Sequence, residues 1–483
     1  MSHLLSDLLD GVTDTAIEEN VRVTGINSDS RAIAFGEVFF ALPGSVRHGD
    51  EFAAMAVERG ARVIVSDRPG VAGAADAGVA TIVIDDVRAA YAKAAARVSG
   101  PPPEMMMAIT GTNGKTSICS FVRQIWQATG IKGASIGTLG IDSGQEIVSG
   151  QLTTPDPLSL HRALAKLKAD GIEHVIMEAS SHGLDQRRLD GIGFKIVGYS
   201  NLSRDHLDYH PDMAAYHDAK LHLFRHLMVE GGSAVINADD PEHMPFLFGA
   251  LERGATPLTV GAEGAYMEIG EIKREGWGQR VAGRLVGEPM NFYLPLAGEF
   301  QVSNALMAAA MAISSGVDKD LAIAALEHLE GARGRLERVA TRGGAAIFVD
   351  YAHTPDALKT ALVALRPYAA SRLHVVFGAG GDRDKGKRAM MGRLASEIAD
   401  MVIVTDDNPR TEDAALIRKQ IMAGATGARE IGDRSEAIGV AVKGLEKGDI
   451  LLIAGKGHED YQIIGTTKQP FSDHDEVAKA VNG

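Results

Sequence analysis

Cysteine is almost missing from this sequence: Cys119 is the one such residue among 483. An internal disulfide framework and a cysteine-built zinc site are therefore both excluded. Cys119 follows a glycine turn and reads as a small helix residue. No apolar run approaches the roughly 18 residues that a membrane-crossing helix needs. The opening segment "MSHLLSDLLDGVTDTAIEE" is acidic and lacks a charged-then-apolar export pattern, so a cytoplasmic protein without membrane insertion is expected. Basic charge is also in deficit, with 49 Lys and Arg against 63 Asp and Glu and a formal charge of −14. Nucleic-acid binding neutralises phosphates with basic surface, so no nucleic-acid partner is expected. An anionic ligand would have to be held by local groups against the overall field. Internal repeats and low-complexity segments are absent.

What is present suits a globular protein of several domains. Hydrophobic residues make up 45% of the chain, and its length is too great for one core. In residues 1–98, "EVFFAL" and "ARVIVS" read as strands around a helical "EFAAMAVERG", and "TIVIDDVRAAYAKAAARV" reads as a strand and then a helix. The Pro/Gly break "SGPPPE" marks a linker. Residues 99–331 alternate strands ("EMMMAI", "HVIME", "KIVGYS", "SAVIN") with helices, which predicts a mostly parallel sheet covered on both faces. "GQRVAGRLVGEPMNFYLPLAG" looks antiparallel, and "QVSNALMAAAMAISSG" reads as a helix. After "GARGRLERVATRGG", residues 332–483 repeat the α/β rhythm with strands "AAIFVD", "LHVVFG", "MVIVT" and "DILLIAG". The expected fold is thus α/β with three domains: a small N-terminal α/β domain, a central sheet of phosphate-loop type, and a C-terminal Rossmann-like domain.

The stretch "AITGTNGKTS" lies between "EMMMAI" and the helical "SICSFVRQIWQAT". Strand, tight glycine turn and helix start together aim backbone N–H groups at one spot, where the helix N-terminus adds partial positive charge. Gly111, Thr112, Asn113, Gly114, Lys115, Thr116 and Ser117 would form a phosphate cradle. Lys115 would reach the terminal phosphates, and the Thr116 hydroxyl would face Mg²⁺. The general pattern wants a glycine where Ile109 stands.

Polar clusters follow the ends of six strands, where open α/β sheets bind ligands. Glu178 is either an Mg²⁺ ligand or a cap on the next helix, and His206 is either a ligand or a helix-start histidine. Lys220, within "AAYHDAKLHLFRH", read alone is a solvated helix lysine.

The segments "TGTNGKTS", "TTPD", "MEASSHGLDQRR", "NLSRDHLDYH", "YHDAK", "SNALMAAA", "VDYAHTPDAL", "GGDRDKGKR", "DNPR" and "GKGHE" occur in this order. In them the chain closely resembles the Mur ligases, the ATP-dependent amino-acid-adding enzymes of peptidoglycan synthesis, and among these the diaminopimelate-adding type. The resemblance covers the whole chain and is strongest in residues 108–225 and 347–460. It implies three small-molecule substrates: ATP, UDP-N-acetylmuramoyl-L-alanyl-D-glutamate and meso-2,6-diaminopimelate. ATP would phosphorylate the D-glutamate side-chain carboxylate, and an amine would attack the acyl phosphate. A monomer is expected. A lysine-adding ligase of the same family and a folylpolyglutamate synthase-like ligase are the alternatives. "DNPR" and a first UDP-binding domain speak against the latter.

The resemblance also assigns residues. Mg²⁺ would be held by Thr116 and Glu178, with His206 at a second Mg²⁺. Lys220 matches a carbamylated lysine, in which CO₂ converts a cation that would repel the metal into an anionic oxygen ligand. Asn304 matches an adenine contact, and Arg335 and Asp350 match residues that reach ATP from the third domain. Read plainly, Arg335 is a linker arginine and Asp350 a capping aspartate. Ser28, Ser30, Ser45, Val46 and Arg47 match segments at the UDP end. Thr153, Thr154, Ser181, Gln186 and Arg188 match positions at the muramoyl-peptide part, although Arg188 also fits a surface arginine. Arg383, Asp407, Asn408, Pro409, Arg410, Gly455 and Glu459 match the diaminopimelate site. There Arg410 would grip the distal carboxylate in bidentate fashion and Glu459 would accept from an ammonium. The bland readings are a proline turn for "DNPR" and a glycine loop for "GKGHE".

Overall fold

The computed structural model describes residues 2–13, 21–44, 46–71, 74, 77–144, 146–148, 150 and 152–483. Ser45, expected at the UDP end, lies outside the described residues. Packing groups the chain into two compact units, Met1–Glu268 with Met307–Ala322 and Ile269–Leu306 with Ile323–Gly483. The boundaries expected at 98/99 and 331/332 each lie inside one of these packing units. Residues 1–98 share a unit with most of the central block because Leu158, on the Pro157–Ala169 helix, enters the core of the first sheet beside Tyr91 and Phe40. Residues 269–306 join the second unit, where Trp277 stacks against Tyr368 with centroids 6.4 Å apart.

The first unit contains two main sheets. Strands Ile26–Asn27, Val38–Ala41, Val63–Ser66 and Ala80–Val83 pair in parallel in that order. Six further strands run parallel in the order Gly133–Gly137, His174–Glu178, Met105–Thr110, Phe194–Tyr199, Met228–Asn237, Thr256–Gly261. Met105–Thr110, His174–Glu178 and Phe194–Tyr199 are almost continuously buried, as a sheet covered on both faces requires. Chain order and sheet order differ, so sequence-distant strand ends become neighbours. Glu178 lies in register with Ile109, and Tyr199 with Thr110. The Lys115–Ala128 helix buries Ile118, Cys119, Phe121, Val122, Ile125 and Trp126, an i, i+3, i+4, i+7 stripe. Its Trp126 indole N–H donates to Ser315 Oγ at 2.8 Å. The buried helix face thus points the N-terminal turn at the ends of three strands.

In the second unit, Gly278–Leu285 and Glu288–Leu294 form the expected antiparallel hairpin. A six-stranded sheet follows in the order Glu337–Arg342, Ala345–Asp350, Ile450–Ala454, Leu373–Phe377, Met401–Val404, Arg429–Glu430. The first pair is antiparallel and the others are parallel. Asp350, Ala454, Phe377 and Val404 are in register at the strand ends. The loops carrying "GKGHE", "GAGGDR" and "DNPR" therefore leave one edge side by side. Among the described residues, no helix is long and apolar enough to cross a membrane.

Candidate functional site

The glycine turn is locked by its own backbone. Gly114 is left-handed at φ 88° and starts the helix. Gly111 has φ 147°, and a Cβ there would lie 2.0 Å from Ser200 Oγ, so only glycine fits. Asn201 braces the turn from the neighbouring strand end: its carbonyl accepts from Thr112 N at 2.8 Å and its Oδ1 from Asn113 N at 2.9 Å. Lys115 Nζ folds back on the carbonyls of Gly111 and Thr112, at 2.7 and 2.9 Å. Ile109 sits within the strand and is fully buried. The shortened glycine pattern therefore still yields strand, turn and helix. Ser117 is buried one residue into the helix beyond Thr116.

Glu178 does not cap a helix. Ser180 caps the following Ser181–Asp185 helix by accepting from Gly183 N. The Glu178 carboxylate is buried, 2% exposed, and accepts from Thr116 Oγ1 at 3.1 Å, Thr138 N at 2.8 Å and Thr138 Oγ1 at 3.2 Å. Thr138 carried no recognisable sequence signal, since it belongs to a different strand end.

Lys220 is not solvated. It is 1% exposed, donates to Gly111 O at 2.8 Å, and lies 4.4 Å from the Tyr216 ring centroid. Burial, reinforced by the charge of Lys115, holds its amine well below the usual lysine range. The sequence-only reading of this residue fails because the Met213–His222 helix packs its Lys220 face inward. His206 is a left-handed loop residue at φ 54°, not a helix start, and its ring stands 4.8 Å from that of His182. Burial depresses its imidazole, while Asp205 opposes that shift.

A second chain of polar contacts runs through the expected muramoyl-peptide positions. Arg188 Nη1 donates to Thr154 O at 2.8 Å, and its Nη2 donates to Gln186 Oε1 at 2.7 Å. Gln186 Nε2 reaches Tyr209 OH at 3.1 Å. Thr153 Oγ1 lies 3.1 Å from Thr138 Oγ1, next to Glu178. Thr154 is occupied locally, with its hydroxyl on Glu178 O and Ser180 Oγ, both at 2.9 Å. Ser181 Oγ is buried without a hydrogen-bond partner among the described residues.

Around the first sheet, Ser30 is buried against Met55, Ser28 hydrogen-bonds Tyr91, Val46 is exposed, and Arg47 pairs with Glu51 at 2.7 Å. Among the described residues, one set of three His, Asp or Glu side chains gathers ligand atoms within 4.8 Å: His48, Asp50 and Asp67. Its imidazole is already shared, Nδ1 lying 2.9 Å from Asp50 and Nε2 2.9 Å from Asp67. These contacts hold a turn beside Arg47.

In the second unit, Asn304 is buried and donates to Gln301 Oε1 at 3.1 Å. The Arg335 guanidinium lies 4.8 Å from the Tyr351 ring centroid. Asp350 accepts from Leu336 N at 2.6 Å and Ala352 N at 2.7 Å, and burial pushes its carboxyl up against the opposing pull of Arg335. Arg410 has φ 51°, and its Nη1 donates to Gly381 O at 2.8 Å. A Cβ on Gly380 would lie 2.8 Å from that nitrogen, and one on Gly381 would lie 1.9 Å from Pro409 O. The "GG" and "DNPR" loops are thus fitted to each other. Gly455, at φ 120°, leaves room for Asp407 Oδ2, which would be 2.4 Å from an added Cβ. Asn408 and Glu459 are directly bonded, Nδ2 to Oε2 at 2.9 Å. Arg383 is exposed. Sequence reasoning passed over Lys456, which is fully buried against both Asn408 and Glu459. Its position inside "GKGHE" was the available signal.

Comparison with known proteins identifies the family. The Mur ligase middle domain matches residues 109–312, the glutamate ligase domain of Mur ligases matches 334–457, and the Mur ligase family catalytic domain matches 22–99. A UDP-N-acetylmuramoyl-L-alanyl-D-glutamate–2,6-diaminopimelate ligase from Chelativorans sp. is 51% identical over 96% of each chain. The protein of that name from Bradyrhizobium diazoefficiens is 52% identical over 97% of each. A solved structure of a ligase with the same name superposes with TM-score 0.71 at 33% identity, covering 100% of this chain and 99% of the other. A MurF ligase from Thermotoga maritima in complex with ADP shares the fold at TM-score 0.62 and 17% identity, over 95% of this chain and 96% of the other. With all three domain models in chain order and half of its residues identical to such relatives, this chain belongs to the Mur ligase family.

Proposed function

We propose that this protein is an ATP-dependent ligase that adds meso-2,6-diaminopimelate to UDP-N-acetylmuramoyl-L-alanyl-D-glutamate, a cytoplasmic step in peptidoglycan precursor synthesis. The turn N–H groups and Lys115 hold the phosphates of ATP and stabilise charge on the transferring group. The γ-phosphoryl group moves to the D-glutamate side-chain carboxylate, and ADP leaves. An amine of diaminopimelate attacks the acyl carbon, the C–N bond forms, and inorganic phosphate departs as the amine loses its proton. Asn304, Arg335 and Asp350 are assigned contacts to the nucleotide. Ser28, Ser30, Val46 and Arg47 are assigned to the UDP end. Thr153, Thr154, Ser181, Gln186 and Arg188 are assigned to the muramoyl peptide.

The donor set suits Mg²⁺, which prefers hard oxygen ligands. The buried Glu178 carboxylate lies beside the hydroxyls of Thr116 and Thr138. Thr116 and Glu178 would hold one Mg²⁺ and His206 a second, with carbamylated Lys220 as an oxygen ligand beside them, and the bound metal would neutralise the anionic reactants. Glu459 accepts an ammonium of the amino acid, and Arg410 pairs with its distal carboxylate, with Arg383, Asp407 and Asn408 around them.

The observation that carries the ligase reading is Lys220, buried on the same carbonyl as the cradle lysine. A nucleotide-binding regulator has no use for such an amine, whereas carbamylation requires the neutral form that burial favours. The test is phosphate release from ATP in the presence of the UDP-muramoyl dipeptide, with diaminopimelate or lysine as the amine. Release that depends on diaminopimelate supports the assignment. Equal release with lysine refutes the amino-acid choice, and release independent of any amine refutes the ligase.

A further inference from the structure

The loop after the Ile450–Ala454 strand carries a lysine with no solvent exposure. Lys456 Nζ lies 3.0 Å from Asn408 Oδ1 and 3.1 Å from Glu459 Oε2. Asn408 Nδ2 donates to that same Oε2 at 2.9 Å, and Asn408 Oδ1 also accepts from Ile463 N at 2.9 Å. Two protein donors therefore converge on one oxygen of Glu459. Among the described residues, no protein donor is bonded to its other oxygen, Oε1.

A buried ammonium is costly unless it is paired and hydrogen-bonded. Here its partners are two residues assigned to the amino-acid site, and it belongs to neither the chemistry nor the hydrophobic core. We propose that Lys456 is a positioning residue of the amino-acid site: with Asn408 it pins Oε2 of Glu459, so that Oε1 is the oxygen offered to the substrate ammonium. Asn408 then acts mainly inside the protein, since both its oxygen and its amide nitrogen are engaged.

The inference rests on the diaminopimelate reading above, and the two fail differently. If wild-type protein does not consume diaminopimelate, that reading falls. If wild type does and the variants behave as wild type, only the role of Lys456 falls. The experiment compares wild type with Lys456→Met, which keeps an unbranched apolar stem, and with Lys456→Gln, which returns a neutral donor. A charge-assisted hydrogen bond lost from the site corresponds to roughly a 10-fold or greater rise in KM for diaminopimelate. KM for ATP and for the UDP-muramoyl dipeptide is expected to stay within about twofold. Lys456→Gln is expected to lie between wild type and Lys456→Met in KM. An unchanged KM for diaminopimelate in both variants, an equal rise in all three KM values, or failure of both variants to fold would each overturn the proposal.

Discussion

Lys115 and Lys220 converge on one atom: both donate to the carbonyl oxygen of Gly111, at 2.7 and 2.8 Å. One comes from the helix start and the other from a helix over a hundred residues later. Two ammonium groups sharing one acceptor repel each other, and the more buried one is the one driven toward its neutral amine. The turn therefore holds a lysine cation beside a buried amine driven toward its neutral form, the form that the proposed carbamylation requires.

Lys115→Ala is expected to lower turnover by about 10²-fold or more, as removal of a preorganised donor to a transferring group does. The fold is expected to remain, because the hydrogen bonds of the side chain to Gly111 O and Thr112 O stay within its own turn. Phosphate release beside a thermal unfolding curve checks both halves. Near-wild-type turnover would remove the phosphate assignment.

Lys220→Ala is expected to be nearly inactive, and an added short-chain carboxylate to restore part of the activity by replacing the lost oxygen ligand. Lys220→Met is expected to be inactive but no less stable at neutral pH. In the unfolded chain this amine is protonated, whereas burial disfavours the proton in the folded chain, so the unfolded state binds more protons and stability rises with pH. The methionine variant is expected to lose that contribution to the slope of unfolding free energy against pH. Full activity in either variant would rule out the carbamate.

Arg410 is expected to give at least about a 10²-fold preference for diaminopimelate over lysine. A site built to pair a substrate group rejects an analogue lacking it by about 10⁴- to 10⁵-fold, and partial water access reduces that figure. Arg410→Lys keeps the charge, loses the fork and weakens diaminopimelate use. Asn408→Ala is more damaging than loss of a neutral ligand contact, because it strips partners from the buried Lys456 and from Glu459, a cost of roughly 1–3 kcal/mol. The ratio of kcat/KM for the two amino acids, measured in wild type and both variants, decides.

His161 supplies a test away from the chemistry. It is 1% exposed on the Pro157–Ala169 helix, and burial lowers its imidazole from 6.5 to about 4. Between those values the unfolded chain takes up a proton that the folded chain refuses, so stability falls as pH drops from 6.5 toward 4. The loss is on the order of 2–3 kcal/mol. His161→Leu is expected to flatten the decline between pH 7 and pH 5, read as the difference in denaturant midpoints. Parallel declines in variant and wild type would show that His161 is not the group responsible.

The order of strands and helices, the strand–glycine turn–helix unit and the family were legible in the sequence because each rests on local rules. Periodicity, a glycine that needs φ 88°, and short motifs act over a few residues. The tertiary structure decided what required sequence-distant partners. Lys220 looks like any helix lysine until its helix packs and desolvates it. Glu178 fits either a metal ligand or a helix cap until Thr138 and Thr116 are brought to it across neighbouring strand ends. Lys456 joins Asn408 because parallel strands, which need long crossovers, place "DNPR" and "GKGHE" at one sheet edge. Burial and strand order are properties of the assembled sheet, and no stretch of a few residues carries them.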